Sequence, residues 1–360
     1  MRGDIKELIN KDKDLSIETM GELDDKIVAT DFFENMIHDV DAFNEQAWKS
    51  KEGFDSPNFP SFTKGFEGWS PGFYAFAGAP NMGKTAIMTN IMEDLCTCEK
   101  NKLFGIYFSL DDPKNKIIPR IIAMREVIPI NLVSTPARYN EMILNNHPDS
   151  IHIQEELDKR EKGLENLKKD SNKMVIFDSK EIKTIDDIYI KCKQIYSYVK
   201  SIDEEMNIII AIDSLKDIEL DASYGKLTIN ERIDLVSRKL KDLSTDLNCM
   251  VFASMHLRKL NANRRPTMDD LKDSNTLEYE LDACFLVYND VSKNKQSAKI
   301  FYREDNENTE KMPVIEVDWG KNKISSYKGI TFCNFAPNYS KCIECNAESS
   351  IRYNALIYEV

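Results

Sequence analysis

No apolar run in this 360-residue sequence approaches the ~20 residues that a helix needs to cross a bilayer. The polar opening, MRGDIKELINKDKD, has no apolar stretch of the kind a secretory leader carries. Together these absences predict an intracellular protein with no membrane partner. The eight cysteines form no compact framework, and Cys192, Cys249 and Cys284 fall in core-like segments, as expected of reduced thiols. Positive charge is not in excess either. A formal net charge of −13 argues against adhesion to nucleic acid over the whole surface, so any such site must be a small basic loop on an acidic body. Internal repeats and low-complexity tracts are also missing.

What remains is an ordinary globular composition, 42% hydrophobic and 30% charged, long enough for one large domain or a domain with an appendage. Cys333, Cys342 and Cys345, in CNFAPNYSKCIEC, offer three thiolates to a zinc, but no fourth ligand stands at a convincing spacing, and free thiols are the preferred reading.

The informative stretch is GFYAFAGAPNMGKTAIMTNIMEDL, residues 72–95. An apolar strand runs into Gly78, Ala79, Pro80, Asn81, Met82, Gly83, Lys84 and Thr85, and a segment of helical spacing follows. Strand, glycine-bounded loop and helix in this order make a phosphate-binding loop. Gly78 and Gly83 free the backbone so that N–H groups and the helix N-terminus can point at phosphate oxygens. Lys84 brings a point charge to the β and γ phosphates, and Thr85 a hydroxyl to Mg²⁺. The expected cofactors are ATP and Mg²⁺, with GTP open at this point.

Apolar strands then alternate with amphipathic helices, which predicts a mainly parallel sheet covered on both faces. Strands are expected at 103–110, 174–178, 207–213, 249–254, 283–289, 297–303 and 313–319, the last without intervening helices and therefore as antiparallel hairpins. Helices are expected near 27–48, at 84–97 and 114–127, in the charged stretch 154–173, at 185–201, and at 230–247 with Asn230 as N-cap. Asp213 ends the buried run IIIAID, where a carboxylate can hold a Mg²⁺-bound water. Asp111 and Asp112 leave another strand end in YFSLDDP, where a carboxylate can orient an attacking water.

In that setting FSLDD, RIIAMREV, IIIAIDSLKDI, VSRKLKDLSTDLNCMVFASMHLRKL and RRPTMDDLKDSNTLEYELDACFLVYND resemble, in order from about Gly65 to Tyr327, the RecA-like motor domain of DnaB-type replicative helicases and of phage primase-helicases. The resemblance implies a RecA-like P-loop NTPase core, with antiparallel strands at its C-terminal end, in a hexameric ring that draws single-stranded or forked DNA through its centre. It implies the cytoplasm of a bacterial or phage-infected cell, and a primase or loader as partner. Residues 1–64 would be a short acidic helical region and linker, 65–330 the motor domain, and 331–360 a Cys-containing extension.

The same resemblance assigns Lys84 and Thr85 to phosphate and Mg²⁺, and gives Asp213 the metal, through water. It puts Asp111 where the family usually has its catalytic glutamate, His256 where a histidine or glutamine senses the γ-phosphate, and Arg303 where an arginine enters the neighbouring subunit's site. Arg258, Lys259, Arg264 and Arg265, in RKLNANRRP, fall where the family places DNA-binding loops. Two other readings share this core: a RecA-like recombinase or filament-forming assembly ATPase, and a degenerate, non-enzymatic helicase paralogue serving as scaffold or loader.

Overall fold

The computed structural model describes residues 36–45, 53–257, 264–271, 275–303 and 310–358. Residues 1–52 and 53–360 are separate units. Of the first, residues 36–45 form an exposed helix; the rest of the helix expected near 27–48 lies outside the described residues.

The second unit is built on a ten-stranded sheet. Its strands are β1 (Gly72–Gly78), β2 (Leu103–Ser109), β3 (Met174–Asp178), β4 (Asn207–Asp213), β5 (Met250–His256), β6 (Ala283–Asn289), β7 (Phe301–Tyr302), β8 (Met312–Asn322), β9 (Ile330–Ala336) and β10 (Lys341–Glu344). The order across the sheet is β10-β9-β8-β6-β1-β5-β4-β2-β3, and β7 pairs with β8. From β6 to β3 the strands are parallel, whereas β8, β9 and β10 add antiparallel. β1 and β6 are buried along their whole length, which explains why they read as continuous apolar runs rather than alternating ones.

Parallel strands need covering helices, and each face has its own core. On one face the helix Lys84–Thr97 packs with Phe59, Phe62, Phe66 and Trp69 over Tyr74, Phe76, Phe252 and Phe285. On the other, the helices Ile185–Ile202 and Ile229–Asp246 cover Phe73, Ala75, Ile210 and Val251. The aromatic cluster centres on Phe62, fully buried, with ring centroids 5.8 Å from Trp69, 5.2 Å from Phe285 and 5.4 Å from Trp319. Phe62→Ala should therefore lower unfolding stability by ~3–5 kcal/mol in urea titrations, because a void in this layer cannot be refilled by rotamer changes alone. A loss below ~1 kcal/mol would show that residues 59–69 stand outside the cooperative core.

Three expectations need correction. The helix at 229–246 is capped by Thr228, not Asn230: Thr228 Oγ1 accepts the Glu231 N–H at 3.3 Å while Glu231 Oε2 accepts the Thr228 N–H at 2.8 Å, a reciprocal box that leaves Asn230 in the first turn. The strand expected at 297–303 shrinks to Phe301–Tyr302, since Asp290 takes the N–H groups of Lys299 and Ile300 at 2.5 and 2.9 Å and diverts the backbone from sheet pairing. Residues 330–344 supply two strands that the sequence reading left unassigned.

These strands close the unit. Cys342 N–H donates to Asn90 Oδ1 at 3.0 Å, and Asn90 Nδ2 donates to the Ser340 carbonyl at 2.9 Å, so β10 grips the middle of the helix Lys84–Thr97. Glu344 accepts the Ser61 N–H at 3.1 Å, tying the strand to the start of the unit. Cys333 and Cys342 are buried, and burial pushes both thiols well up; Cys345, pushed up to about 11, donates to Asn334 Oδ1 at 3.2 Å. Among the described residues no group of three His, Cys, Asp or Glu side chains is arranged to hold a metal, and no helix is long and apolar enough to cross a membrane.

Candidate functional site

The parallel topology brings four strand ends together. Gly78 at the end of β1 is in register with His256 at the end of β5, and Ser109 at the end of β2 with Asp213 at the end of β4. The loop Gly78–Thr85 leaves β1 at this edge and enters its helix through Gly83, whose φ of 95° favours glycine; Asn81, at φ 64°, takes the left-handed conformation that asparagine tolerates. The glycines are also required by neighbours. A Cβ at Gly78 would stand 2.6 Å from the Val287 carbonyl oxygen, and one at Gly83 would stand 2.5 Å from Ile315 Cδ1. The loop is thus shaped by β6 and β8.

Lys84 is buried, its Nζ donating to the Ala79 carbonyl at 2.9 Å. Burial pushes its ammonium down to about 8, against the pull of Asp213. Thr85 Oγ1 donates to Asp213 Oδ2 at 2.7 Å, Tyr107 to the same oxygen at 3.4 Å, and Ser254 Oγ to Asp213 Oδ1. Tyr107 and Ser254 escaped the motif reading. The available signal was a hydroxyl inside each of two otherwise apolar strands, a placement that burial tolerates only with a partner. The hydroxyl of Thr85 and the carboxylate of Asp213 are hard oxygen donors beside a helix N-terminus, and they fit Mg²⁺.

The backbone joins Asp111 to this centre: its N–H donates to the Asp213 carbonyl at 3.0 Å. Its side chain is exposed, and its charge acts on both Lys84 and His256. Asp112 is engaged elsewhere, 3.0 Å from both Lys116 and Arg120. His256 is held below its usual range, first by burial and then by the charges of Lys84 and Lys216, so its ring is neutral near pH 7. Lys216, another cation beside the site, also went unnoticed in the sequence.

The basic loop is less free than its composition suggests. Arg258 and Lys259 lie outside the described residues. Arg264 makes a two-pronged pair with Asp270, at 2.8 and 2.6 Å, and Arg265 another with Glu316, at 2.5 and 3.1 Å. These two guanidiniums, expected to face DNA, already have carboxylate partners within the fold. Arg303 is exposed at the end of β7, its guanidinium 5.2 Å from the centre of the Phe301 ring. A cavity of about 550 Å³ at the far end of the helix Lys84–Thr97, walled by Glu93, Arg125 and Asp170, holds none of these residues.

This geometry has counterparts among known proteins. Residues 56–341 match the DnaB-like helicase C terminal domain. A probable replicative DNA helicase of Trieres chinensis is 27% identical over 288 residues, 78% of this chain and 54% of the relative. The replicative DNA helicase DnaB of Haemophilus influenzae is 25% identical over 232 residues, 62% of this chain and 44% of the relative. The chain spans about half the length of the curated relatives it matches. Among solved structures, an isolated ATPase domain superposes with a TM-score of 0.68 at 20% identity, covering 86% of this chain and 99% of that one. A DnaB-like replicative helicase, solved in a study of its interactions with primase, superposes at 0.65 and 20% identity, covering 96% of this chain and 72% of that one. Those two likenesses speak for the RecA-like fold. The family match, which runs through the phosphate loop and every strand from β1 to β9, shows that the chain belongs to the DnaB-like helicase C-terminal domain family.

Proposed function

We propose that the chain is the ATP-driven motor of a replicative DNA helicase, a ring-forming translocase on single-stranded DNA. The observation that carries this reading is the hydroxyl–carboxylate pair Thr85–Asp213, 2.7 Å apart beside the buried Lys84, in a chain of the helicase family. In the working site the Gly78–Thr85 backbone and Lys84 hold the β and γ phosphates, and Lys84 exchanges the Ala79 carbonyl for phosphate oxygen. Thr85 and Asp213 hold Mg²⁺, Asp213 through water, and the ion supplies charge neutralisation between the phosphates. Tyr107 and Ser254 keep the Asp213 carboxylate aimed. Asp111, exposed and without the ion pairs of Asp112, orients the attacking water. Neutral His256, level with Gly78, reports the γ-phosphate to the chain that follows it. Arg303 acts on a neighbouring subunit's nucleotide. Arg258 and Lys259 lead the contact with DNA phosphates, the partner is single-stranded or forked DNA, the assembly a hexamer, and the setting the cytoplasm, with a primase or loader alongside.

Unwinding of a forked duplex with ATP and Mg²⁺ tests the whole reading. It fails if neither unwinding nor DNA-stimulated ATP hydrolysis is found in an assembled preparation. The aspartate has its own test. Asp111→Asn should slow hydrolysis by ~10²–10⁴-fold with nucleotide affinity kept, whereas Asp111→Glu should retain or raise turnover. If both variants turn over like wild type, another group orients the water.

A further inference from the structure

Both described ends of the basic segment meet the strands around the phosphate loop. At one end His256 closes β5 level with Gly78. At the other, after residues 258–263, the chain returns with two arginines that do different work. Arg264 closes its own turn, since Asp270, its partner, also accepts the Thr267 N–H at 2.7 Å. Arg265 reaches into the sheet. Its fork grips both oxygens of Glu316, and its guanidinium lies 5.2 Å from the centre of the Tyr288 ring.

Glu316 is 2% exposed and stands opposite Tyr288 in the β6–β8 ladder. Its neighbours Ile315 and Val317 belong to the core beneath the helix Lys84–Thr97, so strand alternation turns Glu316 to the opposite face. Ile315 fills the space that a side chain at Gly83 would need, and Val287, next to Tyr288, bounds Gly78. One face of this strand pair therefore shapes the phosphate loop, while the other holds the arginine at which the basic segment returns.

We propose that Arg265 is a positioning residue: its pair with Glu316 anchors the returning chain to the strands that shape the phosphate loop, and thereby couples affinity for single-stranded DNA to the nucleotide bound. This rests on the helicase reading above. A two-pronged guanidinium–carboxylate pair against an aromatic ring restrains orientation as well as distance, which a lysine ammonium would not. The two members depend on each other. Burial already pushes the Glu316 carboxyl up to about 7, so without the guanidinium it would be neutral and unpaired. Removing either partner should then have the effect of removing both. Because its charge is met inside the protein, Arg265 contributes no phosphate contact of its own.

The test uses Glu316→Gln, Arg265→Gln, the double variant and Arg265→Lys in the full chain. Affinity for oligo-dT is measured by fluorescence anisotropy over a salt series, with ADP and with a non-hydrolysable ATP analogue. Wild type should bind with affinities that differ between the nucleotides by at least about fivefold. Both single Gln variants and the double should lose that difference to a similar extent, with an unchanged salt slope, and Arg265→Lys should be intermediate. Glu316→Gln should keep its DNA-independent ATPase. A retained nucleotide difference with only a lower melting temperature would overturn the proposal in favour of a purely structural pair. A salt slope lowered by ~0.7 in Arg265→Gln but not in Glu316→Gln would overturn it in favour of a phosphate contact. Wild type that binds oligo-dT but without nucleotide dependence would overturn the coupling alone, whereas wild type that neither binds DNA nor hydrolyses ATP would remove the helicase reading beneath it.

Discussion

Lys84→Ala should yield a folded protein whose ATP turnover is reduced by at least ~10²–10³-fold. Its ammonium is the charge at the phosphate loop, where the remaining donors are neutral backbone N–H groups, and charge developing on the β and γ phosphates would go unanswered without it. The fold should tolerate the change. An ammonium whose pKa burial has pushed down to about 8 is costly to enclose, and its bond to the Ala79 carbonyl can be replaced by water at this open edge of the sheet. Circular dichroism and a thermal melt establish folding, and a coupled phosphate-release assay reads turnover. A folded variant with wild-type turnover would remove the loop from the active site.

Arg303→Ala should bind ATP and assemble, yet hydrolyse ~10³–10⁵-fold more slowly, if its guanidinium meets charge that appears only in the transition state. The exposed position at the end of β7 suits a group that works on another subunit. Mixing Arg303→Ala with Lys84→Ala then becomes informative. A mixed interface pairs an intact phosphate loop on one subunit with an intact arginine on the next, so partial activity should return once subunit exchange is verified by labelled co-purification. Confirmed exchange without recovery removes support for action in trans, unless the ring is strictly coupled. Titrating mutant into wild type separates those cases: a steep fall at low mutant fraction reports coupling around the ring, a linear fall independent subunits.

The nucleotide site was legible because its chemistry is local. Gly78 to Thr85 is one stretch, Asp213 ends an apolar run, and the parallel topology implied by alternating strands and helices brings such ends to one edge. Asp111 and Asp112 show the limit of that approach. They are adjacent in sequence, but only the fold commits Asp112 to Lys116 and Arg120 and leaves Asp111 exposed. The arginines show it again. Arg264 and Arg265 read as free charge in a basic loop, since no spacing rule links Arg265 to a glutamate on β8. Tyr107 and Ser254 were hidden in apolar strands, where a hydroxyl becomes informative only once the carboxylate it meets is known. At 330–344 attention to the cysteines drew the reading away from an alternation, burying Cys333 and Cys342, that marks two edge strands.

The grip of β10 on Asn90 and Ser61 also has a consequence for biosynthesis. Chains emerge from the ribosome N-terminus first, so the helix that carries Lys84 is made long before the strand that holds its midpoint. Until residue 344 is out, the buried Asn90 amide lacks both of its β10 partners and the Ser61 N–H lacks Glu344. The last-made strands complete the first-made helix, and nucleotide binding should therefore mature only after nearly the entire chain has been released.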